Sequence, residues 1–129
     1  MKGLHNIFVY GTLLSGERNH ARLDGARLVG TARTEARFTL VDLGHFPALW
    51  ESGTTAVVGE VYAVTPQLLA ALDRFECVPS LYERLRVPLE GGRVVDAYVQ
   101  RVTFRPAPTI PSGDWRAHRK GTYRAHPTP

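Results

Sequence analysis

Cysteine is almost missing from this chain: Cys77 stands alone among 129 residues. A single thiol excludes an internal disulfide and a multi-thiolate metal site. It leaves Cys77 reading as a small, semi-buried apolar residue. Lysine is scarce too, since 14 of the 16 basic residues are arginine. No apolar run approaches the roughly 20 residues of a membrane-spanning helix. The stretch Met1-Lys2-Gly3-Leu4-His5 has none of the apolar character of a signal peptide. The chain is therefore expected to be cytoplasmic, with no membrane partner. The histidines, at 5, 20, 45, 118 and 126, show neither HxH nor HExxH spacing, so no metal site is expected. GxSxG, GxGxxG and a phosphate-binding GxxGKT are all absent. Their absence removes a serine-hydrolase elbow and weakens any nucleotide-binding reading. There is no internal repeat and no low-complexity linker.

What is present suits one compact domain over residues 1–129. A hydrophobic fraction of 43% and a charged fraction of 22% are ordinary for a globular protein. The formal net charge is +4. Such a balance suits a small anionic substrate, and equally plain solubility. Basic residues cluster only in Arg116-Ala117-His118-Arg119-Lys120. That run lacks the aromatic interleaving of a single-strand binding surface. It reads as a solvated tail that frays from about residue 116, and no nucleic-acid partner is expected. Without an obvious exposed seam, a monomer is expected.

Strand signals dominate. They fall at Asn6–Tyr10, Arg27–Arg33, Ala36–Asp42, Ala56–Val64, Tyr82–Leu89 and Arg93–Phe104. The last two are joined by the hairpin signal Gly91-Gly92. Ser15 to Leu23 reads as a loop entering a short helical turn, closed by Asp24-Gly25. Leu43 to Trp50 reads as a loop packed over the sheet, because its aromatic residues need cover. Ala56–Val64 is apolar on both faces, which predicts a central strand, and Gly59 within it predicts a bulge or a close backbone approach. Thr65-Pro66 is an N-cap followed by a first-turn proline, and Leu68, Leu69, Leu72 and Phe75 follow at helical spacing. Pro79 is expected to end this helix. A short helix is expected around Trp115. The pattern is α+β: a curved mixed sheet or small mixed β-barrel flanked by helices.

Chemistry concentrates at two places. The first is Ile7-Phe8-Val9-Tyr10-Gly11-Thr12-Leu13, a strand running into a glycine turn. With no Cβ at Gly11, the turn can bring several N–H groups close to one oxygen of a ligand. The second is Glu76, which follows the apolar stripe Leu69, Leu72 and Phe75 at a helix end. Burial and the helix C-terminus would both raise its pKa, as a group that takes and returns a proton requires. The pattern alone allows equally a solvent-facing cap. Asp73 reads as a structural charge that points to solvent or pairs with an arginine, and Glu83-Arg84 as a strand-face ion pair. His20 reads as a catalytic group or as a short-helix histidine bonded to nearby backbone.

The ordered series of these residues resembles the γ-glutamylcyclotransferase superfamily, in its small γ-glutamylamine-cyclotransferase-like (AIG2-like) branch. The resemblance rests on Val9-Tyr10-Gly11-Thr12-Leu13, Asn19-His20, Phe46-Pro47-Ala48-Leu49, Leu72-Asp73-Arg74-Phe75-Glu76, Tyr82-Glu83-Arg84 and Ser112-Gly113-Asp114-Trp115. It implies a small mixed β-barrel flanked by helices and a pocket between Tyr10–Leu13 and Glu76. It further implies Glu76 as the acid/base that releases a γ-glutamyl group as 5-oxoproline, with no cofactor. Tyr10, Gly11, Thr12, Leu13 and Tyr82 are then the candidate substrate-binding residues. The N–H groups of Gly11–Leu13 would serve either an oxyanion or the substrate's α-carboxylate. Tyr10 and Tyr82 would orient Glu76 or substrate, or serve as core aromatics with satisfied hydroxyls. The alternative function is a metabolite-binding protein that uses the same pocket without turnover. Two departures stand out. Cys77 replaces the family's usual glycine, which would crowd the pocket or alter the helix end. Leu14 replaces a frequent basic residue, which would remove an anion contact at the mouth.

Overall fold

The computed structural model describes residues 3–100 and 106–125. The elements run β1 (His5–Val9), a 3-10 turn (His20–Leu23), β2 (Arg27–Arg33), β3 (Phe38–Asp42), β4 (Pro47–Thr55), β5 (Val58–Val64), α1 (Pro66–Phe75), β6 (Glu83–Pro88), β7 (Val94–Val99) and α2 (Trp115–Ala125). Five strands form one sheet in the order β2-β5-β1-β7-β6, and β3 and β4 form a separate two-stranded sheet. Only β1 and β7 pair in parallel; the other neighbours are antiparallel. The architecture is α+β.

The sheet does not close into a barrel. Its edge strands β2 and β6 approach only at their ends, where Thr34 and Leu89 make an isolated bridge. Beyond that bridge the chain turns at Glu35 towards β3 and at Glu90 into the β6–β7 hairpin. No strand remains there to extend a ladder, as closure would require.

Alternation along β1 builds a core on each side of the sheet. Phe8 joins Leu40, Leu49, Val61, Ile110 and Trp115 in one cluster. Ile7 and Val9 join Leu14, Leu23, Leu69, Leu72 and Tyr82 in the other. β5 lies inside the sheet, as its two apolar faces predict. A Cβ on Gly59 would sit 2.2 Å from the Val9 carbonyl oxygen, so the close approach holds there. The bulge lies instead in β2, between Leu28 and Gly30.

Thr65 caps α1, its Oγ accepting from the Leu68 N–H at 3.1 Å. Three expectations are corrected. The stretch from Pro47 is strand rather than loop: it pairs with β3 from Asp42–Pro47 to Thr39–Trp50, then shifts register to Phe38–Thr55. The helix ends at Phe75, before Pro79 can act. The basic tail does not fray at 116 but continues as α2. Its polar side chains face acidic partners on the domain: Arg116 lies 3.5 Å from Glu60, His118 2.8 Å from Asp42, and Arg119 pairs with Glu17. The expected extension of the last strand to Phe104 falls partly outside the described residues.

Candidate active site

A cavity of about 240 Å³ opens where β1 runs out, between the Tyr10–Leu13 turn and the end of α1. Tyr10, Gly11, Thr12, Leu13, Glu76 and Tyr82 all line it, so every candidate site residue converges there. Phe46, Pro47, Phe75, Leu81, Tyr98, Arg18 and Asn19 contribute to the remainder of the wall.

The turn is held by its carbonyls. Gly11 C=O accepts from Leu14 N–H at 3.1 Å, and Thr12 C=O from Asn19 N–H at 3.0 Å. Asn19 Nδ2 also donates to Thr12 Oγ1 at 3.0 Å. The Leu13 carbonyl receives His20 Nδ1 at 2.9 Å. In a trans peptide the N–H points opposite to the carbonyl. With these carbonyls drawn into the loop, the N–H groups of Thr12 and Leu13 point away from it. No acceptor among the described residues takes the N–H of Gly11, Thr12 or Leu13. Unpartnered donors of this kind at a cavity wall can take an oxyanion or a carboxylate. Gly11 serves this turn differently from the sequence expectation. A Cβ there would lie 2.6 Å from Pro47 Cγ, so the Pro47 ring takes the space the missing side chain leaves.

Glu76 is the C-cap of α1, and the helix closes beyond it with the two bonds of a Schellman motif. Cys77 N–H donates to Arg74 C=O at 3.1 Å and Val78 N–H to Asp73 C=O at 3.0 Å. This closure turns the chain sharply and leaves Glu76 on the cavity wall. Burial pushes the Glu76 carboxyl up to about 7, and the nearby Arg22 guanidinium works against that rise. No hydrogen bond from a described residue holds the carboxyl. Arg22 is itself placed by its stack on the Phe75 ring, 4.0 Å from the centroid.

The tyrosines are anchors. Tyr10 OH donates to Tyr98 C=O at 2.6 Å and accepts from Leu49 N–H at 3.2 Å. Tyr82 OH donates to Pro47 C=O at 2.9 Å. Tyr98 OH donates to Asp73 at 2.7 Å, and Arg84 grips the same carboxylate through Nε and Nη2 at 2.9 and 3.2 Å. Burial above all, then charged neighbours that include Glu76, hold the phenols of Tyr10 and Tyr82 well above their ordinary range. Both stay protonated and line the cavity. Asp73 is thus structural, as expected, and so is His20, whose ring also tilts against Tyr62.

Both departures are harmless to the cavity. Cys77 is exposed rather than semi-buried and is not part of the cavity wall. It takes the left-handed conformation, φ 56°, that a glycine would take at this helix end. Leu14 is buried in the core beside Leu23, so no basic side chain is missing from the mouth. The cation in the cavity wall is Arg18, and Arg22 acts on Glu76 from its place over the Phe75 ring; sequence reasoning passed over both. It also passed over Glu60, a buried carboxylate that accepts from Ser15 N–H at 2.9 Å, Ser15 Oγ at 2.8 Å and Tyr62 OH at 2.9 Å. Burial opposes its ionisation, and the bonds from Ser15 and Tyr62, with Arg116, outweigh burial and hold its pKa below the ordinary range. A glutamate inside a strand apolar on both faces was the legible signal, since such a charge needs partners.

The profile described as "Gamma-glutamyl cyclotransferase, AIG2-like" matches residues 7–117. A human gamma-glutamylaminecyclotransferase is 40% identical over 114 residues, covering 80% of this chain and 71% of its own length. A Vibrio cholerae protein, provisionally named a gamma-glutamylcyclotransferase, is 42% identical over 111 residues, covering 86% of this chain and 95% of its own. The crystal structure of an AIG2-like protein from Mus musculus superposes with a TM-score of 0.70 at 32% identity, over 86% of this chain and 88% of that one. With the cavity, the turn and the helix-end glutamate in place, the chain belongs to the AIG2-like gamma-glutamyl cyclotransferases, a family of enzymes.

Proposed function

We propose that the protein cyclises the γ-glutamyl group of a γ-glutamyl amine or related γ-glutamyl compound to 5-oxoproline and releases the amine. The nucleophile is the substrate's own α-nitrogen, so the protein needs no covalent nucleophile. Its first task is to hold the chain curled, which makes the attack intramolecular. Its second is to move protons. Two protons leave the α-nitrogen and two arrive at the leaving nitrogen as the amide C–N bond breaks and the ring C–N bond forms. Glu76 carries them in turn. A carboxyl with a pKa near 7 exchanges a proton in either direction at neutral pH. The N–H groups of Gly11–Leu13 hold either the tetrahedral oxyanion or the α-carboxylate.

The observation that carries this reading is one cavity with Glu76 on one wall and the unpartnered N–H turn on another. The names of the relatives support the γ-glutamyl substrate. All the groups come from one chain, so a monomer suffices. A cytoplasmic setting belongs to the same proposal, since the fold uses no disulfide.

A panel of γ-glutamyl amines and γ-glutamyl dipeptides, assayed for 5-oxoproline, tests the reading. Release from at least one compound is the expected result. Ligand-dependent stabilisation with no product from any compound would favour the non-catalytic metabolite-binding alternative.

A further inference from the structure

The cavity is small. At about 240 Å³ it falls below the roughly 300–1,000 Å³ of pockets that enclose a drug-sized ligand. A γ-glutamyl group takes up much of so small a space, and a substituent on the leaving nitrogen that outgrows the remainder projects past the rim. A second, more open hollow adjoins that rim, and Thr12 and Arg18 line both spaces. Its other walls come from the loop at Glu17, the β3–β4 turn at Asp42 to His45, and the first turns of α2.

The carboxylates of this hollow are already satisfied. Asp42 accepts from the Gly44 N–H at 2.7 Å and faces His118 Nε2 at 2.8 Å. Glu17 is bonded to Arg119. Arg18 differs: its side chain has no hydrogen-bond or ion-pair partner among the described residues. One unspent guanidinium therefore stands at the junction of the two spaces. A guanidinium pairs best with a carboxylate, through two parallel N–H···O bonds. A cationic leaving group would meet repulsion there and find no free acid among the described residues that line this hollow.

We infer that the second hollow is the leaving-group subsite, and that Arg18 selects γ-glutamyl compounds whose released amine carries a carboxylate. This rests on the cyclotransferase reading above and adds the charge of the leaving group to it. Arg18 is a specificity residue: it touches the part of the substrate that departs.

The test compares γ-glutamyl-glycine with γ-glutamyl-glycinamide, which differ at the terminal charge, using the wild type and Arg18→Gln. Arg18 is exposed, so the variant is expected to fold. The wild type is expected to favour the acid about tenfold or more in kcat/KM, and Arg18→Gln to bring the acid-to-amide ratio towards one. The wild-type preference is also expected to shrink as salt is raised. Turnover of both compounds at similar rates by the wild type would overturn the inference alone. So would a ratio that survives in the variant, or an equal loss on both compounds, which would assign Arg18 to the common γ-glutamyl part. No 5-oxoproline from either compound, nor from the wider panel, would overturn the cyclotransferase reading and this inference with it.

Discussion

Burial and the charge of Arg22 act in opposite directions on Glu76, and in the proposed mechanism their balance sets the proton chemistry. Burial raises the Glu76 carboxyl, and Arg22 restrains the rise. Removing the guanidinium therefore pushes the carboxyl further up. Arg22→Gln is expected to move the acid limb of kcat/KM to higher pH while the plateau stays within about tenfold, as a pH–rate profile will show. Cys77 gives a second residue-scale prediction. A non-glycine residue in the left-handed region carries roughly 1–2 kcal/mol of strain, against roughly 0.5–1 kcal/mol of extra chain entropy for glycine. Cys77→Gly is expected to stabilise the fold by about 1 kcal/mol, raising Tm by roughly 3–5 °C in a thermal melt. The glycine leaves the cavity wall unchanged, so kcat should be retained.

The elements meet through Glu60. It sits on β5, its acceptors hold the loop at Ser15, and Arg116 of α2 reaches the same serine, donating to its C=O at 2.9 Å. One buried carboxylate thus ties sheet, loop and C-terminal helix. Its folded pKa is depressed, so its contribution is present above the unfolded value of about 4.5 and is lost as pH falls through the folded value. Glu60→Gln keeps the volume but sets an amide N–H₂ among donors. It is expected to cost about 2 kcal/mol at pH 7, and the gap to wild type should narrow below pH 4 in denaturant titrations. This element-scale tie was poorly legible in the sequence. The strand was read correctly as central, yet the acid inside it was not asked for its partners. Without aromatic interleaving the tail reads as a frayed end with solvated basic residues. Their partners, Glu17, Asp42 and Glu60, are distant in sequence.

At the scale of the molecule, the proposed function depends on bringing the end of β1 to the end of α1. The antiparallel β1–β5 pairing does this, because β5 leads directly into α1. Both halves of the candidate site were legible beforehand as residues that line one cavity: the glycine turn from its strand-then-Gly pattern, and Glu76 from its position after an apolar stripe. Sheet closure was not legible, since alternation reports faces and says nothing of whether two edges meet. The two cations were not legible either, because Arg18 joins the cavity wall and Arg22 covers the Phe75 ring only once the loop folds back onto Thr12 and Leu13. The two substitutions that looked disruptive, Cys77 and Leu14, proved to lie outside the cavity wall.

The central claim is that Glu76 carries the protons. Its most direct test is the pH dependence of 5-oxoproline release by the wild type and by Glu76→Gln, with folding checked by circular dichroism. The wild type must hold Glu76 ionised to accept a proton, so kcat/KM is expected to climb with pH through about 7 and then level off. The variant should fold, bind substrate and lose at least a hundredfold in kcat, with that limb gone. A folded Glu76→Gln protein that releases 5-oxoproline at the wild-type rate, on the same pH profile, would contradict the account.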